Sequence, residues 1–226
     1  MTTWPATADE LIASQQALAA AAGRSLWRPP TDPIVGGCFA CLPRGESSAG
    51  AAGDPVWAGA AEYRGRHCIG RAAARGTARG EYVPGLLALR VGPALEAAVR
   101  ALPTAADVLI VDATGRDHPR QAGLAVHLGA VLGTPTVGVT HRTLLAVGDW
   151  PPDEASAVSP LRLDGEIVGY WVRTRPGRRP VAVHAGWRTD APTAAQVVLS
   201  VSRHRTPEPL REARRVARTA RAGAGR

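Results

Sequence analysis

Two short apolar runs, Val108–Val111 and residues 136–139, flank a stretch whose pattern predicts a helix over residues 119–132. Strand, helix, strand at this spacing is a βαβ unit, whose strands lie parallel in one sheet with the helix across it. In such sheets the C-terminal strand ends face the ligand crevice. The first strand ends on Asp112, in the segment LIVDATGRDHPRQAG (residues 109–123), and the chain then turns at Gly115. Asp112, Asp117 and His118 place oxygen and nitrogen donors within seven residues. The residues alone leave three roles open for Asp112: metal ligand, ligand-positioning carboxylate, or cap of the turn. In the last case Asp117 or His118 would serve the N-terminus of the helix beginning at Pro119.

The rest of the chain arranges itself around this unit. Leu11, Ile12, Leu18 and Ala21 recur at helical spacing and predict a helix over 7–22, followed by a proline-rich connection at 27–33. Residues 34–42 read as a strand buried on both faces, and 43–54 as a polar, glycine-rich loop. Strands over 56–62 and 67–74 form a meander through Tyr63-Arg64-Gly65-Arg66. After Tyr82-Val83-Pro84-Gly85 comes a helical pattern over 86–102, interrupted at Gly92-Pro93. Strands follow at 161–163, 166–174 and 180–184, with a hairpin turn at Asp164-Gly165. Helices over 191–202 and 210–222 close the chain. The expected class is α/β: a mixed sheet, antiparallel meander plus parallel strands, flanked by helices in one domain over residues 1–226.

Composition narrows the function classes. Aromatic residues are only 4% of the chain, so the core must be built from Ala, Val and Leu. No apolar run approaches the roughly 20 residues that span a bilayer. The N-terminus lacks the basic-then-apolar pattern of a secretory signal, which makes the cytoplasm the expected compartment. Cys38, Cys41 and Cys68 are too few for a disulfide framework. With His67 they are the donor inventory of a zinc site, but positions i and i+3 of a strand point to opposite faces, which favours buried free thiols. The net charge is +8 and all 27 basic residues are arginine. Eight of them fall between Arg203 and Arg226 against Glu208 and Glu212, a net of +6. Such a basic C-terminal helix or tail, 210–226, suits a phosphate backbone as well as it suits a solvated helix end.

The arrangement IVD-x-x-G-x-x-HPR-x-x-G-x-A-x-H-x-G over residues 110–129, followed by G-x-PTVGV, resembles the endonuclease V family. Tyr82-Val83-Pro84-Gly85 is similar to that family's YIPG wedge, and Gly165-Glu166, Gly186 and Pro207-Glu208-Pro209 continue the likeness in family order. The resemblance implies an RNase-H-like fold and a Mg²⁺-dependent endonuclease acting on DNA, or in some branches RNA, near an inosine base. It also implies a wedge of Tyr82, Val83, Pro84 and Gly85, a base pocket at the turn around Gly115 and His118, and nucleic-acid contacts from His141 and Arg142.

The same resemblance exposes departures. The family's first metal ligand, an Asp, is matched by Cys38, and its second, a Glu six residues past the wedge glycine, by Val91. The third, Asp112, is retained. The catalytic-site histidine of a G-H-R motif is matched by Trp187, the basic pair by His141-Arg142, and the first pocket glycine by Ala113. Magnesium requires hard oxygen ligands, which a thiol and an alkyl group do not supply. The expectation is therefore a nucleic-acid-binding relative whose Mg²⁺-dependent cleavage is lost or strongly reduced. The alternatives are an active divergent nuclease in which Asp117 or Asp190, helped by His118, replaces the lost ligands or Cys38 recruits a softer metal, and a non-catalytic scaffold.

Overall fold

The computed structural model describes residues 3–43 and 50–224. Residues 44–49, half of the glycine-rich loop expected at 43–54, lie outside the described residues, as does Arg226. The described residues form thirteen elements, in order: α1 (Ala8–Ala22), β1 (Ile34–Cys41), β2 (Pro55–Arg64), β3 (His67–Thr77), α2 (Leu87–Arg100), β4 (Val108–Val111), α3 (Leu124–Leu132), β5 (Thr136–Thr140), β6 (Val158–Leu163), β7 (Glu166–Val172), β8 (Val181–Ala185), α4 (Ala191–Ser200) and α5 (Glu208–Gly223). The strands form one sheet in the order β3-β2-β1-β4-β5-β8-β7-β6. β1, β4 and β5 pair in parallel at its centre, with antiparallel strands on both sides. This is the mixed α/β sheet expected from sequence.

Alternation along the central strands sorts the core into two layers. Cys38, Leu109 and Val111 face α2 and α3, together with Leu11 of α1. Val35, Val108 and Ile110 face the other way, toward α4 and Leu210 of α5. α5 lies close on the sheet because Gly37 and Gly59 present no side chain: a Cβ at Gly37 would strike the backbone of Pro209 and Leu210, and one at Gly59 that of Ala213 and Ala217. A Gly59→Ala variant is therefore expected to lose about 1–3 kcal/mol by overpacking, read as a lowered midpoint in urea. An unchanged midpoint would mean that α5 yields without cost.

Two helix predictions need correction. The Gly92-Pro93 pair does not interrupt α2, which runs through it. Proline removes one N–H and leaves the Leu89 carbonyl without its helical donor; the Arg79 N–H reaches that carbonyl from outside the helix at 3.3 Å. Gly92 supplies room for the Trp4 indole. The helix expected from Pro119 instead starts at Leu124, because Gln121 adopts φ 48° and the chain coils first through a turn closed by Gly123 N–H to the Gly115 carbonyl at 2.9 Å. The hairpin at Asp164-Gly165 stands as expected, both residues having positive φ, 51° and 83°. Thr7 caps α1 by accepting from the Glu10 N–H.

Candidate nucleic-acid site

Asp112 sits where β4 ends, and its N–H bonds the Cys38 carbonyl of the neighbouring β1 at 3.2 Å. The turn beyond it packs so closely on β8 that only glycine fits at position 115: a Cβ there would overlap the Ala185 carbonyl oxygen. The Arg116 N–H bonds that same oxygen at 2.8 Å. Asp112 thus projects from a rigid corner, as a strand-end carboxylate should.

The wedge residues stand beside it. Tyr82, Val83 and Pro84 are exposed, Tyr82 by 61%. Their footing is Gly85, at φ 81°, whose carbonyl accepts from Gln15 Nε2 (3.0 Å), His118 Nε2 (3.0 Å) and Arg120 Nη2 (3.4 Å). The Arg120 N–H donates to His118 Nδ1 at 3.2 Å, so these partners fix the neutral tautomer with its proton on Nε2. Burial, ahead of the positive charge of Arg120, lowers the His118 pKa and agrees with a neutral ring. Between wedge and strand end lies a cavity of about 250 Å³ lined by Tyr82, Gly85, Asp112, Ala113, His118 and Leu144, among others. The structure therefore brings together the wedge, the turn and Asp112, which sequence separates by some thirty residues.

Asp117 and His118 do not cap a helix as the sequence suggested. Asp117 is fully buried and accepts from the N–H groups of Leu144 (2.6 Å), Leu145 (2.8 Å) and Ala146 (2.7 Å). His184 Nε2 lies 3.3 Å from the same carboxylate. Burial alone would raise the Asp117 pKa, but His184 and the N–H donors hold it far below the usual carboxylate range. Asp190 caps α4 through the Thr193 N–H at 2.8 Å and pairs with Arg28 at 3.1 Å. Both carboxylates are thus already engaged by partners other than a metal.

The positions matched to the family's metal ligands do not provide a cation site. Burial, then the neighbouring Asp112 charge, pushes the Cys38 thiol well above its ordinary pKa and keeps it protonated. Val91 is packed in the core beneath the sheet. Among the described residues no three His, Cys, Asp or Glu side chains gather in a way that could hold a metal ion. Trp187 stands apart from the pocket: it packs against Leu18, Ala22 and Val126 of α1 and α3, and its carbonyl accepts from the N–H of Thr136, at the start of β5. Asp112 lies level with the other end of that strand. Cys38 and Cys41 face different core clusters, as their spacing predicted.

The residue that sequence reading missed is Arg214. Its Nε donates to Asp112 Oδ2 at 2.7 Å, with both side chains mostly buried. Its Nη1 donates to His141 Nε2 at 3.3 Å and to Thr206 Oγ1 at 3.4 Å. Burial and the charges of Arg205 and Arg214 lower the His141 pKa, consistent with an accepting ring. Arg142 is exposed next to it. The basic helix signalled the class of residue, but nothing in the linear pattern says which arginine turns inward, 102 residues from its carboxylate. Arg214 and Arg218 each lie 5.7 Å from the Phe39 ring, and with Arg211 and Arg215 they line an open basic groove along α5.

This architecture has close relatives. A family model described as Endonuclease V matches residues 48–215. An Endonuclease V of Nocardia farcinica is 39% identical over 221 residues, covering 96% of this chain and 94% of the relative. The crystal structure of Endonuclease V from Streptomyces avermitilis superposes with a TM-score of 0.88 at 32% identity, covering 99% of this chain and 96% of that one. Endonuclease V of Ciona intestinalis, solved with a 24mer DNA containing an inosine followed by a ribo-adenosine, shares the fold at TM-score 0.75 and 20% identity, covering 96% and 98%. The shared fold is RNase-H-like. With a family model matching most of its length and a relative aligned almost end to end, the chain belongs to the endonuclease V family.

Proposed function

We propose that this protein binds inosine-containing DNA or RNA at the wedge and cavity, with metal-dependent cleavage lost or strongly reduced. The observation that carries the reading is the 250 Å³ cavity, walled by the Tyr82–Gly85 wedge on one side and the Asp112–Thr114 turn on the other. A mostly apolar recess at a strand end, beside an exposed tyrosine, suits a base taken out of its stack. The relative from Ciona intestinalis was solved with inosine-containing DNA, which supports this choice of ligand.

Loss of cleavage is argued from the donor set. Magnesium takes oxygen ligands in near-octahedral geometry. Here one carboxylate remains, it already accepts from a guanidinium, and the other two matched positions hold a protonated thiol and a core valine. These residues do not fit the ion. Metal stabilisation of a phosphoryl transition state is worth several kcal/mol, and each 1.36 kcal/mol is tenfold in rate, so cleavage should fall by about a thousandfold or more.

A gel-shift and nicking assay with inosine-containing and plain oligonucleotides, in Mg²⁺ and in Mn²⁺, tests both parts. The expected result is salt-sensitive binding that favours inosine and yields no product. Metal-dependent nicking that disappears in Asp112→Ala would overturn the loss of cleavage. Absence of binding at low salt would overturn the binding reading.

A further inference from the structure

We propose that Arg214 is a built-in replacement for a divalent cation: held by Asp112, its guanidinium offers its outer N–H groups to a backbone phosphate, so binding here needs no metal. The inference rests on the reading of this chain as a nucleic-acid binder and goes beyond it to the chemistry of the contact.

A metal ion in a nuclease site bridges protein carboxylates and a phosphate through positive charge. A guanidinium can make the same bridge with hydrogen bonds, because its planar fork carries five donors and matches both carboxylate and phosphate. Arg214 has the required placement. Nε faces inward to Asp112 at 2.7 Å, while Nη1 faces His141 and Thr206 at the rim. The side chain is only 16% exposed, so its charge is weakly screened and its direction fixed. Phe39 supports the guanidinium from β1. Outward from it, Arg211, Arg215 and Arg218 line the groove on the same helix and continue the positive track. Among the described residues, Arg214 is thus the member of the basic stripe that pairs with Asp112, beside the cavity.

The arrangement has a signature that a merely structural arginine would not give. Removing Arg214 leaves the Asp112 carboxylate facing the phosphate, so the repulsion adds to the lost contact. It also frees that carboxylate to take up a cation.

Binding to a fluorescent inosine oligonucleotide, measured by anisotropy at matched ionic strength in EDTA and in Mg²⁺, provides the test. The unaltered protein is expected to bind equally in both. Arg214→Ala should bind about tenfold or more weakly in EDTA and recover part of that loss in Mg²⁺. The double variant Asp112→Asn/Arg214→Ala should bind more tightly in EDTA than Arg214→Ala alone. Manganese electron paramagnetic resonance of the free proteins should show a weak ion site in Arg214→Ala that the unaltered protein lacks. Thermal melts verify folding, and Arg214→Gln takes the place of the alanine variant if that one unfolds. Should the unaltered protein bind while Arg214→Ala binds equally well in EDTA, the cation role is refuted and the binding reading survives. A requirement for Mg²⁺ in the unaltered protein, or equal Mn²⁺ uptake by both proteins, refutes it too. No binding by the unaltered protein refutes both.

Discussion

Replacing Arg90 by methionine is expected to cost about 3–5 kcal/mol of stability, the usual effect of breaking a buried ion pair from one side. Arg90 is 1% exposed, immediately before Val91 in α2. Its Nη2 pairs with Asp54 Oδ2 at 2.7 Å, and its Nη1 donates to the carbonyls of Ala51 (3.0 Å) and Gly80 (2.8 Å). One side chain thereby ties two loops that also bond each other, through Gly53 N–H to the Ala78 carbonyl and Tyr82 N–H to that of Gly50. Methionine fills the volume but leaves the Asp54 carboxylate without its partner and the carbonyls without donors. For a chain of this length the loss corresponds to a melting temperature lower by about 10 °C. Faster hydrogen exchange at the Tyr82 amide should accompany it, since the wedge root loses its anchor. A melting temperature within about 2 °C of the unaltered protein would refute this account of Arg90.

The second large effect is expected at Asp117. Asp117→Ala leaves the N–H groups of Leu144, Leu145 and Ala146 without their acceptor and His184 without its neighbour, for a loss of about 3–5 kcal/mol. Leu144 lines the cavity, so base binding should weaken along with stability. The carboxyl also predicts a pH dependence. Its pKa in the folded chain is depressed, whereas in the unfolded chain it is near the ordinary value of about 3.9. As the pH falls below that value the unfolded chain takes up a proton that the folded chain refuses, and stability declines. The contribution is complete above about pH 5 and is lost toward lower pH as the folded pKa is approached. Urea midpoints between pH 6 and pH 3 should therefore fall less steeply in Asp117→Asn than in the unaltered protein. Parallel slopes would show that other groups govern the acid limb.

The parts legible in sequence were those governed by local rules. The parallel centre followed from strand–helix–strand spacing and the β6–β7 hairpin from Asp164-Gly165, because each depends on a few adjacent residues. Pro93 misled because the compensating donor comes from Arg79, outside the helix. Pro119 misled because proline suits a first helical turn, while Gln121 breaks the path by adopting a left-handed conformation. At the site, the turn around Asp112 and Gly115 was readable from its motif. The partner of Asp112 was not, since choosing Arg214 from a stripe of arginines requires the docking angle of α5, which Gly37 and Gly59 set. Trp187 was assigned by motif to the catalytic histidine's place, yet the antiparallel course of β8 carries it to the far end of β5.

The Gly85 carbonyl, with three side-chain donors converging on it, has a bearing on kinetics. A loop held at its root by Gln15, His118 and Arg120 is already in one conformation before any strand arrives. Its ordering cost falls on folding and not on association. Encounters therefore meet a finished surface, and the time a strand stays bound, set by how fast it leaves, becomes the quantity through which changes in Tyr82 are felt.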